Sequence, residues 1–300
     1  MKVIWNLIRD TVKGWSNDKA SRLAASLSYY TAVATAPLLV LAVMGIGWFF
    51  GRDSAQMQVV SQLQGMVGPQ GAEVAQAVIE SADQPNLAGI AGVLSLLTLL
   101  WGSTNVFVEL QDSLNTIWGV ELKPRNRGVK AFIRERLLSF GMILVIGFLL
   151  LVSLLLSAVL SALGDYAVGM MPGLEVLWQF LNFALSFAIT TLLFALIYKV
   201  LPDADFAWGD VWIGATVTAL LFTIGKSALG LYLGNQTLSS AYGAAGSLVV
   251  LLIWIFYSAQ IFFFGAEFTQ VYANRLGQGV TPSDNAQPIR SRQPGEAKMS

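Results

Sequence analysis

The sequence predicts an all-α fold: a polytopic membrane bundle of six transmembrane helices, with amphipathic helices at its surfaces. Three observations predict it. Six apolar stretches, near 26–50, 87–109, 138–161, 176–199, 209–233 and 246–270, each exceed the roughly 20 residues a helix needs to cross a bilayer. Hydrophobic residues make up 55% of the chain and charged residues 12%, about half the charge of a soluble domain. The basic residues also alternate in side along the stretches, as the positive-inside rule requires. Stretches this apolar must be helical, because hydrocarbon offers no partner for a free backbone N–H or C=O.

The N-terminal segment 1–25 reads as an amphipathic helix on the cytoplasmic surface. Val3, Ile4, Leu7, Ile8, Val12 and Trp15 share one face, and Lys2, Arg9, Lys13 and Lys19 the other. It has no apolar core closing on a small-residue cleavage site, so no cleavable signal is expected. Span one follows, with Pro37 in mid-span freeing a backbone carbonyl. Segment 54–80 places Met57, Val60, Leu63, Val67, Val74 and Val78 at helical spacing, interrupted at Gly68-Pro69. It is expected as two short amphipathic helices at the outer interface.

The segment between spans two and three carries Lys123, Arg125, Arg127, Lys130, Arg134 and Arg136. Lys199 follows span four, and the tail adds Arg275, Arg290, Arg292 and Lys298. With Lys2, Arg9, Lys13, Lys19 and Arg22, sixteen of the eighteen basic residues then lie on one side of a six-span bundle; Arg52 lies opposite and Lys226 inside span five. Both termini are therefore expected in the cytoplasm. Gly230-x-x-x-Gly234 is a small-residue packing motif, and a homo-oligomer is one candidate partner arrangement. Residues 239–247 read as a tight turn or a re-entrant hinge. The tail 277–300, rich in Pro, Gln and Ser, reads as disordered.

Polar residues in hydrocarbon are costly and point to bundle interiors or cavities. Arg22, Ser26 and Tyr29 or Tyr30 share a face of span one; Trp101, Asn105 and Glu109 share a face of span two; Tyr257, Gln260, Phe264 and Glu267 share a face of span six. All fall in the cytoplasmic half. They are expected to line a cavity in which Arg22 neutralises one or both of Glu109 and Glu267. The alternative is interhelical glue, at about 0.6 kcal/mol per polar group. Lys226 either snorkels outward or holds an anionic head group.

The chain has no His and no Cys, so His-built zinc hydrolases, thiolate metal sites and disulfides are excluded. No metal, cofactor or catalytic set is expected. A Ser hydrolase could use only something like Lys226 with a nearby Ser. The net charge is zero, which supports no bulk attraction to nucleic acid. Membrane lipids and envelope proteins are the expected partners.

Three segments carry a resemblance: RLAASLSYYTAVATAP at 22–37, SLNTIWGV at 113–120 and AYGAAGSLVVLLIWIFYSAQIFFFGAEF at 241–268. Together they resemble the YihY/BrkB family of bacterial inner-membrane proteins. The resemblance implies an envelope role, described for that family as virulence or serum resistance, with lipid or lipopolysaccharide export linked to some members. The residues matching its pattern are Arg22, Tyr29, Tyr30, Pro37, Asn115, Trp118, Tyr242, Gly243, Gly246, Ser247, Trp254, Gly265 and Glu267. The label ribonuclease BN attached to such proteins belongs to enzymes that need clustered His, which this chain lacks. The expected function is a transporter or flippase-like protein for an amphipathic envelope substrate such as a lipid. A non-transporting scaffold and an intramembrane Ser hydrolase are the alternatives.

Overall fold

The computed structural model of the chain describes residues 2–67, 72, 76, 77, 79, 80, 105–123, 175–234 and 246–289. The expected span at 138–161, most of that at 87–109, Trp101 and the hinge at 239–245 lie outside the described residues. The elements in chain order are α1 (Lys2–Asn17), α2 (Ala20–Phe50), α3 (Arg52–Val67), α4 (105–118), β1 (Val120–Leu122), α5 (Glu175–Val200), β2 (Ala204–Asp205), α6 (Trp208–Gly234), α7 (Gly246–Arg275), β3 (Thr281–Pro282) and β4 (Ala286–Pro288).

Among the described residues, three helical segments are long and apolar enough to cross a membrane: Val176–Val200, Trp208–Leu229 and Val249–Arg275. They enclose the stretch expected at 176–199 and most of those at 209–233 and 246–270. The chain divides into two compact units. One contains residues 1–18, 114–223 and 264–300; the other contains 19–113 and 224–263.

In the second unit, Lys19 takes a left-handed conformation (φ 55°) just before α2, so the expected helix over 1–25 ends at Asn17. Helix α2 then runs 31 residues, straight through Pro37. It stops at Gly51, whose φ of 83° glycine tolerates without a Cβ penalty and whose N–H caps Gly47 O at 3.0 Å. Helix α3 starts at once and packs back on α2: Ala55 and Val59 bury against Leu39 and Val43, with Ile79 in the same cluster. Of the apolar face expected here, Val60 packs half-buried against this cluster, whereas Met57 is exposed. Val250, Leu251 and Ile255 of α7 form a second cluster with Ala32 and Trp254.

In the first unit, a short polar collar gathers the ends of α4, α5 and α7. Strand β4 pairs antiparallel with β1, and β3 with β2. Ile289 N–H donates to Gly119 O (2.9 Å), Lys123 N–H to Asn285 O (3.0 Å) and Ser283 N–H to Asp203 O (3.1 Å). The tail expected to be disordered from 277 is thus ordered through 289. Its backbone groups find partners on two loop edges more than 70 residues away, which offsets the entropy its composition would otherwise keep. Residues 290–300 lie outside the described residues.

Asn115 fixes the collar from α4. Its side-chain oxygen accepts from Asp203 N–H (2.8 Å), and its amide donates to Asp203 Oδ2 (3.0 Å). Trp118, one turn on, packs against Phe206 (ring centroids 4.8 Å) and edge-on to Tyr198 (6.2 Å). Two of the residues carrying the family resemblance, Asn115 and Trp118, thus act here as a latch between the end of α4 and the α5–α6 turn.

Candidate functional site around Glu267

In the first unit, α6 and α7 cross antiparallel through a reciprocal pair of Gly-x-x-x-Thr segments. A side chain at Gly214 would collide with Thr269, and one at Gly265 would collide with Thr218. The glycines let the backbones approach, as small residues do at membrane helix contacts. Each threonine hydroxyl donates back to its own helix: Thr218 to Gly214 O at 2.8 Å and Thr269 to Gly265 O at 2.7 Å. With the Thr218 proton so committed, the buried Tyr198 hydroxyl donates to Thr218 Oγ1 at 3.1 Å. This contact satisfies its hydroxyls and is glue of the kind the sequence allows for.

Glu267 lies between Gly265 and Thr269 in sequence, but two residues along a helix point to opposite sides. Its side chain is 1% exposed, and neither carboxylate oxygen has a hydrogen-bond partner among the described residues. Helix α1 lies over it. Leu7 and Thr11 are the buried residues of α1. Gly14, next in that stripe, sits so close to Glu267 that any Cβ there would strike the carboxylate. One turn earlier on α1, Asp10 pairs with Arg275 near the end of α7, and Arg9 Nε lies 3.3 Å from Asp10 Oδ1. α1 is thus held at Asp10 and seated on Glu267 at Gly14. Its apolar residues Val3, Ile4, Trp5, Ile8 and Val12 are exposed, and Trp15 is half-buried.

The other expected site residues belong to the second unit. Gln260 Nε2 donates to Ser21 Oγ at 2.9 Å, and Gln260 Oε1 is buried without a partner among the described residues. Tyr257 and Ile261 lie against Gly225, where a side chain would meet them. Ser26, Tyr30, Asn105 and Glu109 are half-buried; Arg22 and Tyr29 are exposed. Tyr29 and Tyr30 meet edge-on at 5.6 Å. Arg22 and Glu109 have no ion-pair partner among the described residues, so the neutralisation expected of Arg22 is not seen there. Lys226 is exposed on α6.

The structure thus joins Gln260 to Ser21 and sets Glu267 under α1. Gly14, Ser21, Thr218 and Tyr198 went unread in the sequence. The repeated Gly-x-x-x-Thr spacing could have signalled the α6–α7 crossing. Gly14 stands out only once the 7–11–14 stripe is known to be the buried one.

The sequence profile of the family described as Virulence factor BrkB matches residues 11–290. Curated relatives share the description UPF0761 membrane protein. That of Verminephrobacter eiseniae is 30% identical over 271 residues, covering 88% of this chain and 61% of the relative. That of Psychrobacter sp. is 27% identical over 267 residues, covering 88% and 47%. That of Tolumonas auensis is 28% identical over 278 residues, covering 89% and 86%. The chain spans about half to three fifths of the length of the first two. No solved structure matches it. With a profile match over nearly its whole length and three apolar helices able to span, this chain is an integral membrane protein and belongs to the virulence factor BrkB family.

Proposed function

We propose that the protein moves an amphipathic envelope substrate, a lipid, across the bacterial inner membrane, and that Glu267 meets the substrate's polar part. The observation that carries this reading is the buried Glu267 side chain without a hydrogen-bond partner, inside the candidate span Val249–Arg275. An unpaired carboxylate buried in apolar surroundings costs several kcal/mol as a charge. Ionisable residues in a span are, for that reason, functional-site candidates by default. A protein needing only cohesion would use groups like Thr218 and Thr269, which satisfy themselves locally.

Helix α1 acts as the cover. It is held at its Asp10 end by a partly exposed ion pair, and its outward apolar face rests on the membrane surface. The distribution of Lys and Arg supports both termini in the cytoplasm. Arg22, Glu109 and Gln260, which belong to the second unit, are proposed to meet substrate there.

The test is translocation of a fluorescent phospholipid between the leaflets of reconstituted vesicles. The reading expects faster exchange than in empty vesicles and at least a tenfold loss in Glu267→Ala. Full activity in folded Glu267→Ala, Glu109→Ala and Arg22→Ala variants would overturn it. Wild-type protein no faster than empty vesicles, together with a stably co-purifying envelope protein, would favour the scaffold instead.

A further inference from the structure

Away from Glu267, α5 and α6 of the first unit enclose a groove of about 490 Å³, lined by Phe187, Ala188, Ile189, Thr191, Leu192, Trp212 and Thr216. The volume is that of a small-molecule site. Its two hydroxyls are already used: Thr191 donates to Phe187 O at 2.8 Å and Thr216 to Trp212 O at 2.7 Å. The walls therefore present mainly methyls, methylenes and aromatic carbon, with the Trp212 indole N–H as a polar edge. Both helices are candidate spans, so the medium at the groove is hydrocarbon.

The end of the groove has a charge. Lys199 stands seven residues beyond Leu192 on α5, about 10 Å along the axis. Its ammonium donates to Phe206 O at 2.7 Å and lies 5.4 Å from the Phe206 ring and 6.0 Å from that of Trp208. One bond to a carbonyl leaves an ammonium with further donors. Asp205, at 4.0 Å, is largely exposed and screened. Trp208 and Trp212, one turn apart and both exposed, run from this cation to the groove. Trp is the side chain enriched at head-group level.

We infer that this groove holds one acyl chain of a resident anionic phospholipid, in the leaflet on the side of Lys199, with its phosphate at Lys199 and Trp208. The site is separate from Glu267 and does not rest on the transport reading.

The full chain in nanodiscs containing phosphatidylglycerol with a mid-chain diazirine tests it. On irradiation, label is expected to concentrate on residues 187–192 and 212–216. Filling the groove with Thr216→Trp is expected to cut that label at least fivefold while labelling of α7 stays constant, and Lys199→Ala to cut it severalfold. Glu267→Gln is expected to leave it unchanged, which separates this site from the proposed function. Ala188→Phe repeats the test if Thr216→Trp fails to fold. Label spread over the apolar helices in proportion to their exposure, unmoved by either filling variant, would overturn the inference.

Discussion

Around Gly265 and Thr269, helix α7 meets α6 with its hydroxyl protons placed; around Glu267, on its other side, it meets α1 with a carboxylate that has no hydrogen-bond partner among the described residues. Both contacts use a glycine to bring the partner helix close: Gly214 and Gly265 at one, Gly14 at the other. The shared geometry shows that close packing alone does not mark a site. The difference lies in the polar groups. A threonine returns its proton to its own helix at little cost, whereas a buried carboxylate has no such outlet. The first arrangement is what cohesion needs, and the second is what cohesion alone would discard.

Breaking the satisfied contact should cost most. Gly265→Leu drives a side chain into Thr218, and the crossing has no slack because Gly214 and Thr269 are equally tight. A loss of about 3 kcal/mol or more is expected, read as a collapse in the yield of folded protein or in its resistance to denaturing detergent. A Gly265→Leu protein as stable as wild type would mean that the helices do not meet there.

Asn115→Ala should come next. It removes two hydrogen bonds, one to a carboxylate, and leaves Asp203 short of both. About 2 kcal/mol of destabilisation is expected, visible as a lowered melting temperature and earlier proteolysis within 201–206 and 281–289. Unchanged proteolysis would show the collar to be held by its strands alone.

Arg275→Ala should cost least in global stability, below about 1 kcal/mol, because the Arg275–Asp10 pair is partly exposed. It sharpens the comparison in another way. If α1 is a cover, amide exchange over residues 2–17 should rise several-fold in this variant while exchange at 214–218 stays as in wild type. Equal protection of α1 in both proteins would make it a fixed part of the bundle.

Much of this architecture was legible in the sequence, for physical reasons. Helices α5, α6 and α7 are long, uninterrupted apolar runs, and such runs in hydrocarbon have one backbone solution. Glu267 was legible as a charge out of place among apolar residues. The collar was not: strands of two or three residues carry no periodicity, and their partners are remote, as Leu122 is from Ala286. The packing face of α3 was legible in part: Val60 packs against the α2 cluster as expected, but Met57 is exposed, and Ala55, a small residue that counts little in an apolar pattern, is fully buried. Gly14 was invisible because its role depends on what sits opposite, and one helix cannot specify that. The placing of Arg22 near a carboxylate followed from shared depth, but equal depth does not bring two side chains together.

The most direct test of the central claim is a paired measurement on Glu267→Gln, stability in lipid alongside phospholipid translocation. Glutamine keeps the shape and removes the charge. The account predicts stability equal to wild type or higher, because a costly buried carboxylate has gone, together with at least a tenfold loss of translocation. A variant that loses stability but retains full translocation would contradict it, placing Glu267 with Thr218 and Thr269 as part of the frame.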